Sequence, residues 1–419
     1  MNVVETFGKV VEKAAAKSPS LGRGVLRTGW ELEDLAFQYR PHRESYPADQ
    51  YLAKLMMDAM LAPLRSPDES AVCSIFTPCE LVHEAGLHPY NVEAMSCYLS
   101  ASFAEQGCIQ AAEDDGLSDT LCSYHKTFVG AALNGLLPRP RCIVYTNVTC
   151  DANLLTFSKL ADIFEVPSFM IDVPMSVTDE SVRSVTDQLH ELKAFLEKTT
   201  GRPIHDDDLA SRVARSQRTL QRFETYQRER ADKYVPADLV TPLYSAMTAN
   251  ILLGTPEEED YVEKCLRDLE TAPPKKGKTI YWMHTIPFWS SATKDYFLFK
   301  EKAQIVGDEL SEVCNSDFPT TDPYEGMAYR MVHNALNGPI ERRINAGIRH
   351  AKDVHADGVV WFNHWGCKHT LGASRIAQKA FQEAGFPTLL LDGDGCDRAH
   401  GGEGQTSTRL GAFLEMLEA

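Results

Sequence analysis

The sequence predicts an α/β protein with two open, mainly parallel-sheet domains joined by long helices, and with a helical N-terminal arm. Three observations predict it. Short apolar runs of strand length alternate with amphipathic helical stretches in two regions, 71–176 and 276–419, the grammar of parallel βαβ units. Between them, 177–275 is long, charged and nearly free of helix breakers, and ahead of them 1–70 has helical periodicity. A chain of 419 residues is also too long for one ordinary core.

The elements follow in order. The opening MNVVETFGKVVEKAAAK is an amphipathic helix, and 48–64 repeats the pattern through Leu52, Leu55, Met56, Ala59 and Met60. A strand over 72–76 runs into the turn Thr77-Pro78-Cys79-Glu80, which caps a short helix ending at Gly86. Helices are expected over 91–106 and 117–135, the second with Cys122 near its start. A strand over 142–146 exits through 147–150 into a helix over 151–164, and 167–173 is the next strand. The stretch 271–278, TAPPKKGK, marks a linker. Beyond it come strands over 279–283 and 303–306, a helix over 338–355 and a strand over 359–362. A helix over 373–384 closes at Gly385, a strand covers 388–391, and a last helix carries Leu410, Phe413, Leu414 and Leu417. In open parallel sheets ligands sit beyond the carboxyl ends of the strands. The exits holding Cys150, Cys367 and the Asp394–Arg398 turn are therefore the places for a site. The glycine-rich DGDGCDRAHGGEGQ lacks the terminal glutamate and helix flanks of a calcium-binding EF-hand. It reads as a strand-exit loop that approaches a ligand or another subunit.

A net charge of −17 gives no basic field to neutralise phosphates, which excludes a nucleic-acid binder but not an anionic small ligand in a local basic pocket. No apolar run reaches membrane-spanning length and the first helix is not a secretion signal, so the expectation is a cytoplasmic protein without a membrane partner. Eleven cysteines in such a chain do not make a disulfide framework. On spacing alone they read as buried thiols, because no CxxC pair exists. Cys142 falls inside a strand, Cys265 on an amphipathic helix, and Cys73, Cys97, Cys108 and Cys314 have no supporting context. Cys122 in LCSYHK, Cys150 in TNVTCDAN and Cys367 in HWGCKH differ, because they stand at loop exits and helix starts. There, free N–H groups and the positive helix end favour thiolate. Thiolates hold iron–sulfur clusters, and three of them would leave one iron of a cubane open.

Four stretches carry a resemblance to a known family: TPCELVHEAGLHPYNVEA, DTLCSYHKTFVG, TNVTCDANLLTFSKLADIFEVPSFMIDVP and the C-terminal GVVWFNHWGCKHTLGASRIAQKAFQEAGFPTLLLDGDGCDRAHGGEGQTSTRLGAFLEML. The chain resembles subunits of the 2-hydroxyacyl-CoA dehydratases, a family that also contains benzoyl-CoA reductase subunits. The resemblance implies that Cys122, Cys150 and Cys367 bind one 4Fe–4S cluster. A CxC pair found in double-cubane relatives is absent from ERRINAGIRHAKDVHADGVV. It implies elimination of water from an (R)-2-hydroxyacyl-CoA to the 2-enoyl-CoA. One electron makes a ketyl radical anion of the thioester, hydroxide leaves, the β-hydrogen of the resulting radical becomes acidic enough to remove, and after deprotonation the electron returns. The electron would come from a separate ATP-dependent iron–sulfur activator; the chain itself has no GxxxxGK[ST] loop.

The same resemblance implies a second homologous subunit, identical or not, and leaves FMN open as a cofactor of the complex. The alternatives are a benzoyl-CoA-reductase-like subunit that reduces an aromatic acyl-CoA, and a non-catalytic electron-transfer or scaffold subunit. Acid–base and orienting groups are expected at Thr77, Glu80 and Glu93, and at His364 with His369 beside Cys367. In structural terms alone, Glu80 would cap its helix and Glu93 would lie on a solvated face. Lys126, Lys368 and Arg398 are the cations available to CoA phosphates, and Arg409 reads as a structural partner near the last helix. Since Cys122 and Cys150 fall in one domain and Cys367 in the other, a shared cluster would bridge the cleft and couple to domain arrangement. The helices of 177–253 are expected to supply the surface for the second subunit.

Overall fold

A computed structural model describes residues 3–39, 43–312 and 316–419, so Cys314 lies outside the described residues. Three helices precede the first strand: α1 (Val3–Lys17), α2 (Pro19–Tyr39) and α3 (Pro47–Arg65). Two small residues let α1 and α2 pack closely. A Cβ on Gly22 would lie 2.8 Å from Ala15, and one on Gly29 would lie 2.2 Å from the Phe7 ring.

The first sheet has β1 (Ser70–Cys73), β2 (His88–Asn91), β3 (Cys142–Thr146) and β4 (Ser168–Ile171), all parallel in the order β2-β1-β3-β4. Its helices are α4 (Cys79–Glu84), α5 (Val92–Ala101), α6 (Glu105–Asp114), α7 (Ser123–Leu133) and α8 (Asp151–Phe164). Sequence periodicity does not reveal β2. It reads HPYN, is only four residues long, and carries a proline that an edge strand tolerates. The helix expected over 91–106 is broken in two at Phe103, which takes a left-handed φ of 56°. Residues 117–122 are not helical, and α7 begins only after Cys122.

The charged central region folds as α9 (Asp179–Thr200), α10 (Asp206–Glu229), α11 (Val240–Ile251) and α12 (Pro256–Thr271). These helices pack against the first sheet, and α11 also reaches the second, with Leu243 in its core. On α9, Val182, Val185, Leu189, Leu192 and Leu196 recur every three or four residues and are buried. Together with Leu209, Val213 and Leu220 of α10 they join the same core as β1, β3 and the N-terminal arm.

The second sheet has β5 (Lys278–Met283), β6 (Ala303–Asp308), β7 (Gly358–His364) and β8 (Thr388–Gly393), again all parallel, in the order β6-β5-β7-β8. Around it lie α13 (Ser291–Phe297), α14 (Glu309–Glu312), α15 (Pro323–Val332), α16 (Ile340–Asp353), α17 (Lys368–Leu371), α18 (Ser374–Glu383) and α19 (Glu403–Glu418). Both faces of this sheet are covered. Ile280, Trp282, Val360 and Phe362 point into one cluster, and Tyr281, Met283, Val359 and Trp361 into the other, as the pleat alternates. One helix crosses over: Tyr324, Met327, Ala328 and Met331 of α15 sit in the core of the first half.

Both sheets have the same strand order, although the sequence shows no clear internal match. In each, the order reverses beside the first strand, between β1 and β3 and between β5 and β7. These reversals are the switch points where an open α/β sheet offers a crevice.

The position of α7 depends on one glycine. A Cβ on Gly130 would fall 1.7 Å from the Cys108 carbonyl oxygen of α6. Gly130→Ala should push α6 and α7 apart and destabilise the fold by at least about 2 kcal/mol, the cost of overpacking. Thermal denaturation reads this, and a melting temperature equal to wild type would show that the contact is not tight.

Candidate functional site

The first residues of α7 connect the two halves. Three consecutive side chains each bond to a different strand exit of the second sheet. Cys122 Sγ lies 3.2 Å from His364 Nε2 at the end of β7. Ser123 Oγ donates to Asp394 Oδ1 (2.6 Å) beyond β8. Tyr124 Oη and Thr285 Oγ1, beyond β5, are 2.7 Å apart. The loop after β8 therefore approaches α7 of the same chain. A Cβ on Gly395 would lie 2.5 Å from Tyr124 Oη.

Cys122, Cys150 and Cys367 occupy the same local position. Each is the residue immediately before a helix, α7, α8 and α17 respectively. Their carbonyls start those helices by accepting from the N–H groups of Lys126, Asn153 and Thr370. All three thiols are half-buried. Gly366 brings Cys367 against Cys122, since a Cβ there would be 2.6 Å from the Cys122 nitrogen. The helix-start amides do not make Cys122 or Cys150 acidic. Burial pushes Cys122 well above its usual range and Cys150 up to about 12, and Cys367 adds to both by like-charge repulsion. A bound metal would offset that cost at Cys122 and Cys150.

Four histidines surround the thiols. Gly395 N–H donates to His364 Nδ1 (3.0 Å), which puts the proton of the neutral ring on Nε2, facing Cys122 Sγ. Burial lowers the His364 pKa, against the opposing pull of Asp394, and keeps the ring neutral. His125, one turn into α7, places Nε2 3.9 Å from Cys150 Sγ, and burial lowers its pKa to about 4. His284 follows β5 with a left-handed φ of 75°, and its ring centroid lies 5.9 Å from that of His364. The Nδ1 atoms of His125 and His284 are buried without a hydrogen-bond partner. His369 Nδ1 is 2.9 Å from Arg343 Nη1. Arg343 pairs with Glu309 at 2.6 and 2.7 Å and reaches Thr370 Oγ1, itself 3.3 Å from Cys367 Sγ.

The other expected residues separate into two groups. Glu93 faces the site. Its Oε2 is buried without a partner, burial raises its carboxyl to about 7, and its charge is felt at Cys150. It is not on a solvated face. Thr77 and Glu80 turn elsewhere, because the exit of β1 folds toward α10, α11 and α15. Thr77 Oγ1 donates to Val144 O (3.3 Å) and lies 3.1 Å from Ser74 Oγ. Glu80 is fully buried between Arg330 Nη1 (2.7 Å), Arg330 Nη2 (2.9 Å) and Ser216 Oγ (2.9 Å). Burial opposes its ionisation, but Arg330 outweighs burial and holds the carboxyl below its usual range. The structure thus ties Glu80 into an ion pair, rather than leaving it a free base or a simple cap. Two of the three expected cations are committed too. Lys126 bonds to Glu113 (2.6 Å), and Arg398 pairs with Glu105 (2.9 Å) over the Phe103 ring; Lys368 is exposed. Arg409 pairs with Asp392 (3.3 Å).

His125 and His284 were not singled out in the sequence, yet both carried a signal. His125 lies three residues after Cys122, on the same helix face. His284 directly follows a strand of the second sheet, a position where functional side chains concentrate.

Among the described residues no group of three or more His, Cys, Asp or Glu side chains is arranged to hold a single metal ion. A cluster makes a different demand, since its thiolates bind separate irons. Three half-buried thiols at helix starts, with neutral imidazoles beside two of them, fit that donor set.

Two four-stranded parallel sheets flanked by helices define an α/β protein, with three half-buried thiols where strand exits of both sheets meet. The family model described as 2-hydroxyglutaryl-CoA dehydratase, D-component, matches residues 74–417, and the chain belongs to that family. It is 23% identical over 300 residues to the alpha subunit of (R)-2-hydroxyglutaryl-CoA dehydratase of Acidaminococcus fermentans. That match covers 68% of this chain and 61% of the relative. It is 21% identical over 377 residues to the alpha subunit of lactoyl-CoA dehydratase of Anaerotignum propionicum, covering 82% of this chain and 89% of the relative. The alpha subunit of (R)-2-hydroxyisocaproyl-CoA dehydratase of Clostridioides difficile is 23% identical over 371 residues, again covering 82% and 89%. No helix among the described residues is long and apolar enough to cross a membrane.

Gly366 has a φ of 82° and no room for a side chain against Cys122. Gly366→Ala should cost about 2 kcal/mol or more from the left-handed backbone and the clash together. Calorimetry checks this, and an unchanged unfolding free energy would mean that the two loops are not in contact.

Proposed function

We propose that this chain is one subunit of a two-subunit dehydratase that removes water from an (R)-2-hydroxyacyl-CoA. Cys122, Cys150 and Cys367 would hold a 4Fe–4S cluster between the two halves. The observation that carries the reading is the convergence of these three helix-start thiols from both sheets in a chain of this family. Such a cluster, when bound, supplies low-potential single-electron chemistry. The chain's own residues do the rest. His364 keeps its proton on Nε2 and donates it as a hydrogen bond to the Cys122 sulfur. His125 Nε2, 3.9 Å from Cys150 Sγ, would donate to it in the Nε2-protonated tautomer. Glu93, with an unpaired buried oxygen, is the group placed to take the β-proton once hydroxide has left the 2-carbon. Thr370 and Arg343 hold the loop of Cys367 in register. Lys368 is the exposed cation left for a CoA phosphate.

The second subunit would be homologous, as the alpha and beta names of the relatives suggest. The electron would come from a separate ATP-dependent activator, and FMN would belong to the complex rather than to a site recognised in this chain. The identity of the acyl group would be found by anaerobic assay with the activator, ATP and a panel of 2-hydroxyacyl-CoA thioesters. Turnover of an aromatic acyl-CoA in place of all of these would reject the dehydratase reading.

Two tests address the residues. Anaerobically reconstituted Cys122→Ser, Cys150→Ser and Cys367→Ser chains should each lose most of their iron. His364→Leu should keep its iron and shift the potential of the reduced, EPR-detected centre to a more negative value, because a hydrogen bond to sulfur is lost. Full iron content in all three serine variants would remove the cluster from this proposal. Glu93→Gln should lower kcat by roughly 10²- to 10⁴-fold while leaving the iron in place. The wild-type rate should rise with pH through about 7 as the Glu93 base form appears, and the glutamine variant should lack that limb. An identical pH profile in both would assign the base elsewhere.

A further inference from the structure

One histidine beside the thiols has no task in the dehydratase reading. His284 follows β5 with a φ of 75°, a conformation that glycine takes freely and that costs a residue with a Cβ. Several bonds enforce it. The His284 N–H donates to Glu309 Oε2 (3.0 Å). Trp282 Nε1 donates to Thr285 O (2.9 Å), and Thr285 Oγ1 lies 2.7 Å from Tyr124 Oη. Glu309 is in turn locked by Arg343, which also reaches His369 and Thr370 beside Cys367. One buried ion pair therefore sets both the strained His284 backbone and the Cys367 loop. Strain over-determined in this way is kept where a side chain must be held in one place.

The side chain so held is half-buried, and its ring makes no hydrogen bond among the described residues. The other three imidazoles are engaged: His364 with Gly395 and Cys122, His369 with Arg343, and His125 toward Cys150. Burial first, then the charge of Arg343 and the rings of His364 and His369, keep His284 neutral. The neighbouring hydroxyls are taken as well, Thr285 by Tyr124, Ser123 by Asp394 and Thr370 by Arg343. In the proposed reaction Glu93 receives the β-proton, while the hydroxyl that leaves has no partner. A rigidly held neutral donor suits it, because charge develops on the departing oxygen.

We propose that the His284 ring binds the 2-hydroxyl of the substrate and hydrogen-bonds to its oxygen as the C2–O bond breaks. This inference rests on the dehydratase reading. The bonding pair leaves with the oxygen as hydroxide, His284 keeps its proton, and the β-proton taken by Glu93 completes the water. The single electron that weakens the bond is the activator's, and it returns after deprotonation.

His284→Gly is the variant to test, since glycine keeps the left-handed backbone without strain. The ligands are the 2-hydroxyacyl-CoA that the wild-type enzyme turns over in the panel assay and the acyl-CoA of the same skeleton without the hydroxyl. Equilibrium binding to the anaerobically reconstituted enzyme, with no activator or ATP present, should favour the hydroxylated thioester roughly fivefold in the wild type. In His284→Gly the two affinities should converge, with the deoxy thioester bound as before. Its kcat should fall by roughly 10²- to 10³-fold, and added imidazole should restore part of the rate. Iron content and reduction potential should stay at wild-type values, and the melting temperature should hold or rise, which a merely structural role would not give. A preference for the hydroxylated thioester that survives in the variant, an equal loss for both thioesters, or loss of iron would each overturn the inference and leave the dehydratase reading in place. A wild-type enzyme that turns over no 2-hydroxyacyl-CoA would overturn that reading, and the inference with it.

Discussion

The structure depends on how the first turn of α7 inserts into the second sheet. Cys122, Ser123 and Tyr124 contact the exits of β7, β8 and β5 in turn, within 3.2 Å in every case. Helical side chains radiate about 100° apart, so three consecutive residues reach three separate loops only when the helix end sits where those loops converge. That convergence exists because the order of the second sheet reverses between β5 and β7. Gly366 then permits the last approach, since any side chain there would collide with the Cys122 backbone.

Charge is distributed consistently with this arrangement. The strong buried cations are neutralised inside the molecule: Arg330 by Glu80, Arg343 by Glu309, and Lys126 by Glu113. Each removes a desolvation penalty that a lone charge would impose. The thiols have no such partner. Burial and mutual repulsion hold Cys122 and Cys150 protonated, and burial keeps the imidazoles of His125 and His364 neutral.

The two halves are not independent modules on a tether. Helix α15 lies after β6 in the chain yet packs its methionines into the first core, and α9 to α12 belong to that core as well. The region that reads as a connector packs mainly on the first core, and α11 carries Leu243 into the core beside the second sheet. Its apolar residues on α9 and α10 are buried internally.

The sequence by itself determined the fold class, the helical character of 177–253, the helices α8, α18 and α19, and strands β3, β5, β7 and β8, because each has its pattern written locally. It also marked Cys122, Cys150 and Cys367, whose helix-start position depends only on neighbours in the chain. Strand β2 was not legible, since four residues with a proline have no period and pair only because β1 lies beside them. The fates of Glu80, Lys126 and Arg398 were likewise decided by partners far away in sequence: Arg330, Glu113 and Glu105. Only the tertiary structure separated Glu93 from Glu80. Both are acids at the start of a short helix, but one was given an arginine and the other was buried without one. That difference follows from long-range packing, which no local pattern encodes, and it decides which carboxylate is held ionised and which is raised to about 7.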